Sequence, residues 1–187
     1  MISCKNDYYE YLEMDRIALG QNSKKPRIIG DEIWKFEILL RKCEFYKNCK
    51  SGIFNKIYFY YLKFLFKRQS IKLGFTIPLN VFGPGLSIAH YGTIVINENA
   101  KVGKNCRIHE GVTIGATSGN PNAATIGDNV FIGSGAKIIG EIKIEDNVAI
   151  GANSVVVKDI KEKGITVAGS PAKKISDKDS RTLLLVK

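Results

Sequence analysis

The fold is decided by residues 126–156, which read IGDNVFIGSGAKIIGEIKIEDNVAIGANSVV. Within this stretch an isoleucine or valine recurs at every sixth position, and glycine directly follows several of them. Neither the 3.6-residue period of a helix nor the alternation of a hairpin strand produces a six-residue period. The stretch is therefore typical of a repeat protein in which each hexad forms one structural unit.

The same six-residue period extends toward the N-terminus. The β-branched residues in phase are Ile96, Val102, Ile108, Ile114, Ile126, Ile132, Ile138, Ile144, Ile150 and Val156, and only Asn120 interrupts the series. We interpret each hexad as one flat side of a triangular solenoid, with its aliphatic residue pointing inward and a small residue where two sides meet. Three hexads complete a coil. The predicted fold class is therefore mainly β, a left-handed parallel β-helix with an N-terminal helical region.

Composition divides the chain into three parts. We expect a helical region at residues 1–74, the β-helix at 75–175 and a polar tail at 176–187. Asp31 is positioned to cap a first helix, and a second, basic and aromatic helix should follow Gly52. Such a helix can lie on a membrane surface, but we expect it to pack on the rest of the protein or on a partner subunit, without membrane contact.

The segment Thr117 to Thr125 (TSGNPNAAT) occupies a hexad but lacks the aliphatic anchor. Its Ser, Gly, Asn and Pro content predicts a loop that leaves the prism. Loops on a regular scaffold commonly carry binding residues. This loop is therefore a candidate part of a binding face.

Lysine and arginine number 28 against 18 acidic residues, so the formal charge is +10. This excess suits an anionic partner such as nucleic acid, a membrane surface or a CoA nucleotide, and charge alone does not choose among them. Lys63 interrupts the most apolar stretch, which is too short to span a bilayer. The N-terminus does not have the layout of a signal peptide, so we expect a cytoplasmic location.

Two further motifs carry a family resemblance, namely GPGLSIAHYG at residues 83–92 and GSPAK at residues 169–173. Together with the hexads they resemble the hexapeptide-repeat acetyltransferases, in particular the serine acetyltransferase-like branch associated with surface polysaccharides. The resemblance implies acetyl-CoA as co-substrate, no required metal, no nucleic-acid partner and a homotrimer, with further pairing of trimers through the helices as an open alternative. It also implies that His90 is the general base, because an imidazole can take the proton of an attacking hydroxyl.

The resemblance also implies a set of donor contacts in the C-terminal coils. The matching positions are Gly133, Ser134, Gly151, Ala152, Val157, Lys158 and Lys173. The two glycines would let the pantetheine approach the backbone, and the lysines would meet phosphates as point charges.

Some positions depart from authentic serine acetyltransferases. The aspartate that pairs with their histidine falls on Phe75, the acidic residue before the histidine on Ala89, and an Arg-His pair in the loop on Asn122 and Ala123. A zwitterionic serine needs charged partners that these positions no longer supply. We therefore predict a sugar or surface-polysaccharide hydroxyl as acceptor, with L-serine as the alternative.

Three residues are predicted to contact that acceptor through hydrogen bonds: Tyr91, Asn120 and Asn122. A backbone carbonyl is the simplest group to orient His90, and Glu98, which matches a family glutamate, is the second candidate. Two other classes stay open: a zinc hydrolyase on the same prism, which would need three histidine ligands, and a non-catalytic trimeric scaffold.

Overall fold

The computed structural model describes residues 1–185, so the last two positions of the predicted tail lie outside the described residues. Three helices come first: α1 spans Lys5–Ala18, α2 Glu32–Cys49 and α3 Ile53–Leu73. The sequence did not predict α1. Among residues 1–185 no helix combines the length and hydropathy that a membrane span requires.

The rest of the chain winds through short strands that form a three-sided prism. The strands are β1 Phe75–Thr76, β2 Ser87–Ile88, β3 Ile94–Ile96, β4 Lys101–Val102, β5 Arg107–Ile108, β6 Thr113–Gly115, β7 Thr125–Ile126, β8 Phe131–Ile132, β9 Lys137–Ile139, β10 Lys143–Ile144, β11 Ala149–Ile150, β12 Val155–Val156, β13 Thr166–Gly169 and β14 Ala172–Ser176. Three sheets form the sides, in the orders β1-β3-β6-β9-β12, β4-β7-β10 and β2-β5-β8-β11-β13-β14. Pairing within them is parallel, except that β14 folds back antiparallel on β13. A single 3₁₀ turn at Ser180–Leu183 follows in the described part of the tail.

All ten aliphatic residues of the hexad series are buried inside the prism. Isoleucines stack on isoleucines in adjacent coils, as in the pairs Ile108–Ile132 and Ile132–Ile150. Each coil thus buries an aliphatic side chain at the same position as its neighbours do, which removes apolar surface from water. The predicted left-handed parallel β-helix is confirmed.

The Asn120 interruption has a simple geometric cause. Ile96 pairs with Ile114, eighteen residues along, whereas Ile114 pairs with Ile138, twenty-four along. The extra six residues form a loop between β6 and β7 that departs from the wall of the prism. Because the insertion equals one hexad, the phase of the repeat is preserved on both sides of it.

One corner of the prism is built from a ladder of asparagines. Asn105, Asn129 and Asn147 all have positive φ, between 54° and 59°. Their side chains bond in series, Asn105 to Asn129 at 2.9 Å and Asn129 to Asn147 at 3.0 Å. Asparagine tolerates left-handed backbone better than most residues, so the ladder turns the chain and joins successive coils.

The helices close the N-terminal end of the prism with buried carboxylates. Asp15 Oδ1 accepts hydrogen bonds from the backbone N–H groups of Gly85 and Leu86, both at 2.8 Å. Glu37 Oε1 accepts from Ile88 N at 3.1 Å, and Glu44 Oε1 accepts from Asn80 N at 2.7 Å. An open end of a β-solenoid would leave such donors unpaired. These carboxylates therefore fix the first coil, including the strand that leads to His90.

A buried guanidinium balances two of these carboxylates. Arg41, which is fully buried, forms ion pairs with Asp15 at 2.7 Å and Glu44 at 3.0 Å, and donates hydrogen bonds to the carbonyls of Phe82 and Gly83.

At the N-terminal end of α2, the prediction for Asp31 holds only in part. The helix begins after Asp31, but its carboxylate pairs with Arg27 and makes no capping bond.

Candidate active site

Polar side chains line one corner of the prism, where the strands of the β2-β5-β8-β11 sheet end. The strand-ending residues Ile88, Ile108, Ile132 and Ile150 lie in register. The residues that follow them therefore form one column along the prism. This column contains His90, His109 with Glu110, Gly133 with Ser134, and Gly151 with Ala152.

His90 projects from a longer connection than its neighbours do. Eight residues separate Ile88 from Ile96, whereas six separate Ile108 from Ile114 one coil later. The two added residues lie in the segment around His90, and they leave its side chain exposed. His90 can therefore meet a substrate from outside the prism while its strand is held by Glu37.

The structure brings a second histidine, His109, against His90, whereas the sequence left open whether His109 lines the same cleft or lies on the surface. The His90 and His109 rings lie edge to face, with centroids 5.5 Å apart. On its other side His109 packs edge to face on Phe131 at 5.1 Å. Its Nε2 atom is buried and has no hydrogen-bond partner. Burial first, then the charge of Arg107, lowers the pKa of His109, so the ring is neutral at neutral pH.

Glu110 supplies a carboxylate to the same cluster. Ser134 Oγ donates a hydrogen bond to Glu110 Oε1, and Oε2 lies 4.0 Å from His109 Nδ1. Oε2 is buried without a partner. The Ser134 hydroxyl, with smaller contributions from the two imidazoles, lowers the pKa of Glu110. The cluster therefore holds a negative charge beside two imidazoles.

This composition could also hold a metal ion. One ligand atom from each of His90, His109 and Glu110 lies within 4.8 Å of the other two. Two imidazoles and a carboxylate are a known catalytic zinc set, so the third ligand that a zinc hydrolyase requires need not be a histidine. Acid–base chemistry at His90 uses the same groups without a metal.

Arg107 lies on strand β5, two residues before His109. Its guanidinium donates to Ser87 Oγ at 2.9 Å, and it lines a cavity of about 270 Å³ together with Ala89 and Tyr91. Burial lowers the pKa of Arg107, but a guanidinium stays protonated in proteins. Neither Arg107 nor Glu110 was predicted from the sequence, because they lie on strand β5 and just after it, one coil away from the family motif.

The predicted donor residues fall into two groups. Gly133 and Gly151 face the next coil so closely that an added Cβ would lie 2.8 Å from Ala152 N and 2.9 Å from Ala168 Cβ, respectively. Coil packing alone therefore requires glycine at both positions. Val157, Lys158 and Lys173 line a cavity of about 210 Å³ beside the β13–β14 hairpin. The structure thus brings these three together.

The predicted acceptor residues do not meet within one chain. Tyr91 is exposed beside Arg107, whereas Asn120 and Asn122 lie in the loop, where Asn120 Nδ2 donates to Glu141 Oε2 at 3.1 Å. Glu98 lines a cavity of about 420 Å³ with Asn122 and Glu141. It follows β3, while His90 follows β2, so the two lie at different corners. The expectation that Glu98 orients His90 is therefore corrected for a single chain.

Comparisons with known proteins agree with this architecture. The model of the bacterial transferase hexapeptide family (six repeats) matches residues 123–158. A serine acetyltransferase of Mycobacterium tuberculosis is 43% identical over 68 residues, which are 35% of this chain and 30% of that protein. The chain thus covers less than a third of this curated relative.

Solved structures extend the likeness over most of the chain. The hexapeptide-repeat serine O-acetyltransferase of Brucella melitensis is 30% identical, with a TM-score of 0.68 over 92% of this chain and 69% of that one. The serine acetyltransferase of Brucella abortus strain S19 in complex with coenzyme A is 29% identical, with a TM-score of 0.71 over 93% of this chain and 70% of that one. The three-sided prism and the column of residues that begins with His90 together define a hexapeptide-repeat transferase. Within that class the chain belongs to the serine acetyltransferase family, which confirms the predicted resemblance.

Proposed function

We propose that the protein is an acetyl-CoA-dependent O-acetyltransferase and that its acceptor is the hydroxyl of L-serine. The observation that carries the proposal is the column that stacks His90 on His109 and Glu110 and continues through Ser134 toward the donor residues. The family relatives, which are serine acetyltransferases, support both the reaction and the acceptor.

The chemistry requires one base and two aligned substrates. His90 takes the proton of the acceptor hydroxyl as the oxygen attacks the thioester carbonyl. The tetrahedral intermediate then expels the CoA thiolate, which receives that proton from the imidazolium. Alignment of donor and acceptor supplies the remaining rate enhancement. No acyl-enzyme forms, so a single histidine suffices.

Charged groups near His90 support a zwitterionic acceptor. The sequence favoured a sugar hydroxyl, with L-serine as the alternative, because the family's charged positions are replaced. Glu110, however, lies beside both imidazoles, and the positive charge of Arg107 is near enough to lower the pKa of His109. A carboxylate pairs well with a guanidinium, and an ammonium group with Glu110. The predicted sugar or polysaccharide acceptor has no support from the relatives.

The donor would enter along the column and end at the hairpin. Lys158 and Lys173 share a cavity there, where two ammonium groups suit the phosphates of a CoA nucleotide. The Brucella abortus relative was solved with coenzyme A. We further propose a homotrimer, in which acceptor residues such as Asn122 reach His90 from a neighbouring prism.

A thiol-release assay tests the proposal directly. Purified protein with acetyl-CoA should release CoA in the presence of L-serine and not with a panel of sugars, and mass spectrometry should find O-acetylserine. In the variant Arg107→Met, KM for serine should rise about tenfold or more, because a charge-assisted bond to the carboxylate is lost. Lys104→Met, on an exposed part of the same coil, is the control.

Other outcomes would point to other functions. Release of CoA with sugars and not with serine would show that the proposed acceptor is wrong, while the acetyltransferase activity would stand. CoA binding without release for any acceptor would favour the scaffold. Stoichiometric zinc, with activity that chelation abolishes, would favour the hydrolyase built on His90, His109 and Glu110.

A further inference from the structure

Helix α3 has a second apolar face that nothing in the described chain covers. Its inner face packs on the protein through Leu62, Ser70 and Leu73, which are buried. Opposite lie large apolar side chains between 55% and 83% exposed: Ile53, Phe54, Ile57, Tyr60, Tyr61, Phe64 and Ile71. We call these seven residues the outer stripe. Single exposed hydrophobic residues are ordinary, but a contiguous patch of this kind marks an interaction site.

The outer stripe follows the helical period. Ile53, Ile57, Tyr60, Phe64 and Ile71 recur at intervals of three, four and seven residues, which places them on one side of a helix. Leu62, half a turn away from this line, faces the protein interior. A helix that is apolar on two opposite sides has two partners, and the prism with α2 supplies only one.

The charge around the stripe indicates what the second partner is. Helix α3 carries Lys56, Lys63, Lys67, Arg68 and Lys72 and no acidic residue. By the helical period, Lys56, Lys63 and Lys67 lie along one edge of the stripe, and Arg68 and Lys72 lie near Phe54 and Tyr61 at its other edge. A second copy that packed on this face would bring two sets of like charges together. An anionic surface would instead neutralise them.

A cavity at the start of α3 adds a place for an anionic group. It has a volume of about 360 Å³ and is lined by Lys47, Lys50 and Lys56 together with Phe59 and Tyr60. Three lysines that share a cavity with aromatic side chains suit a phosphate at the boundary between water and an apolar layer. Tyrosine is also enriched at membrane interfaces, where its ring and hydroxyl meet different media.

We propose that α3 is an interfacial helix that docks the protein on an anionic phospholipid surface. The outer stripe enters the headgroup region, the five basic residues contact lipid phosphates, and the active-site column stays in water. This docking differs from the packing that the sequence analysis expected for the helix. It is independent of the acetyl transfer, so His90→Ala should bind vesicles as the wild type does.

Vesicle sedimentation with the full chain tests this proposal. The protein should pellet with sucrose-loaded vesicles of phosphatidylcholine containing about 30% phosphatidylglycerol, and much less with pure phosphatidylcholine. Raising the salt to about 1 M should release most of it, because the Debye length falls to about 3 Å. The double variant Lys63→Glu/Lys67→Glu should reduce binding about tenfold or more.

Two further variants separate lipid docking from its alternatives. Ile57→Ser/Phe64→Ser should also lose about tenfold or more in binding, while its melting temperature stays unchanged because both side chains are exposed. Lys161→Glu/Lys178→Glu has the same change in net charge on the prism and tail, and should bind within about twofold of wild type. Equal losses in all variants, or no vesicle binding by the wild type, would overturn the proposal. A change in oligomer size in Ile57→Ser/Phe64→Ser without any vesicle binding would assign the stripe to a second copy.

Discussion

The imidazoles of His90 and His109 lie edge to face with their ring centroids 5.5 Å apart, although they belong to successive coils. The pairing depends on the longer connection after β2, which carries His90 outward over the next coil. His109 is held from behind by Phe131. The exposed imidazole of His90 thus lies against the packed ring of His109. This contact restricts the orientation of His90 without the aspartate that the family usually provides.

Replacing the proposed base should abolish most of the activity. We expect His90→Ala to lower kcat by about 10²–10⁴, the usual contribution of a positioned general base. The affinity for CoA should stay nearly constant, because the donor residues lie in later coils. Steady-state kinetics and calorimetric titration with CoA measure the two effects. Wild-type turnover in this variant would refute the assigned role.

Glu110 should act on the histidines through its charge. A carboxylate stabilises the protonated form of a neighbouring imidazole, so Glu110→Gln should lower kcat/KM about tenfold. Because the charge of Glu110 raises the pKa of His109, that pKa should also fall in the variant, which NMR titration of the His109 ring can measure. A merely structural role would lower activity without moving the pKa of His109.

Ser134→Ala provides the matched test of this charge. It removes the hydrogen bond that contributes most to the lowered pKa of Glu110, so that pKa should rise toward its ordinary value. The carboxylate would then be lost at a higher pH than in wild type, although it would remain ionised near neutrality. NMR titration of the side chain can follow this shift. An unchanged titration would contradict the inferred bond.

The wall of the prism could be predicted because every hexad needs an inward-facing aliphatic residue at the same position. An inward isoleucine such as Ile138 is in register with Ile114 and Val156 of the adjacent coils, so the period of the sequence predicts that it is buried. The loop was predicted for the same reason, since Asn120 cannot replace an aliphatic anchor. His90 was found because a family motif surrounds it.

The rest of the site depends on register between coils, which the sequence does not display. Glu110 becomes a neighbour of His90, and Arg107 a hydrogen-bond partner of Ser87, only once the register between successive coils is known. Glu98 was placed near His90 by family analogy, but it leaves a different side of the prism. The closing carboxylates were also missed, because Asp15 and Glu37 read as ordinary helix residues until their strand partners are known.

Arg41 should be essential for stability. Arg41→Met leaves the buried carboxylates of Asp15 and Glu44 without their cation, and removal of one partner from a buried ion cluster costs about 3–5 kcal/mol. Urea denaturation should show this as a lower midpoint. Arg27→Met is the control, because Arg27 is exposed in its pair with Asp31, and an exposed pair of this kind contributes little to stability. An equal loss of stability in the two variants would show that burial of the ion pair does not determine how much its removal destabilises the protein.

Glu37 should make the protein less stable as the pH rises. The side chain is fully buried, and burial, followed by the charge of Asp15, raises its pKa well above the ordinary value. The folded state therefore binds a proton that the unfolded state releases above about pH 4.3. Stability from this group is complete below that pH and is lost as the pH rises toward the folded pKa.

The variant Glu37→Gln removes this dependence while keeping the bond from Ile88 N, because the amide oxygen can replace Oε1. We expect it to be more stable than wild type at neutral pH, because it needs no proton in the folded state that the unfolded state would release. The difference should close below about pH 4, where both side chains are uncharged. Denaturation curves across this range measure it, with the exposed Glu98→Gln as control. If Glu37→Gln were less stable than wild type at neutral pH, the carboxylate would have to be buried as an anion compensated by Arg41.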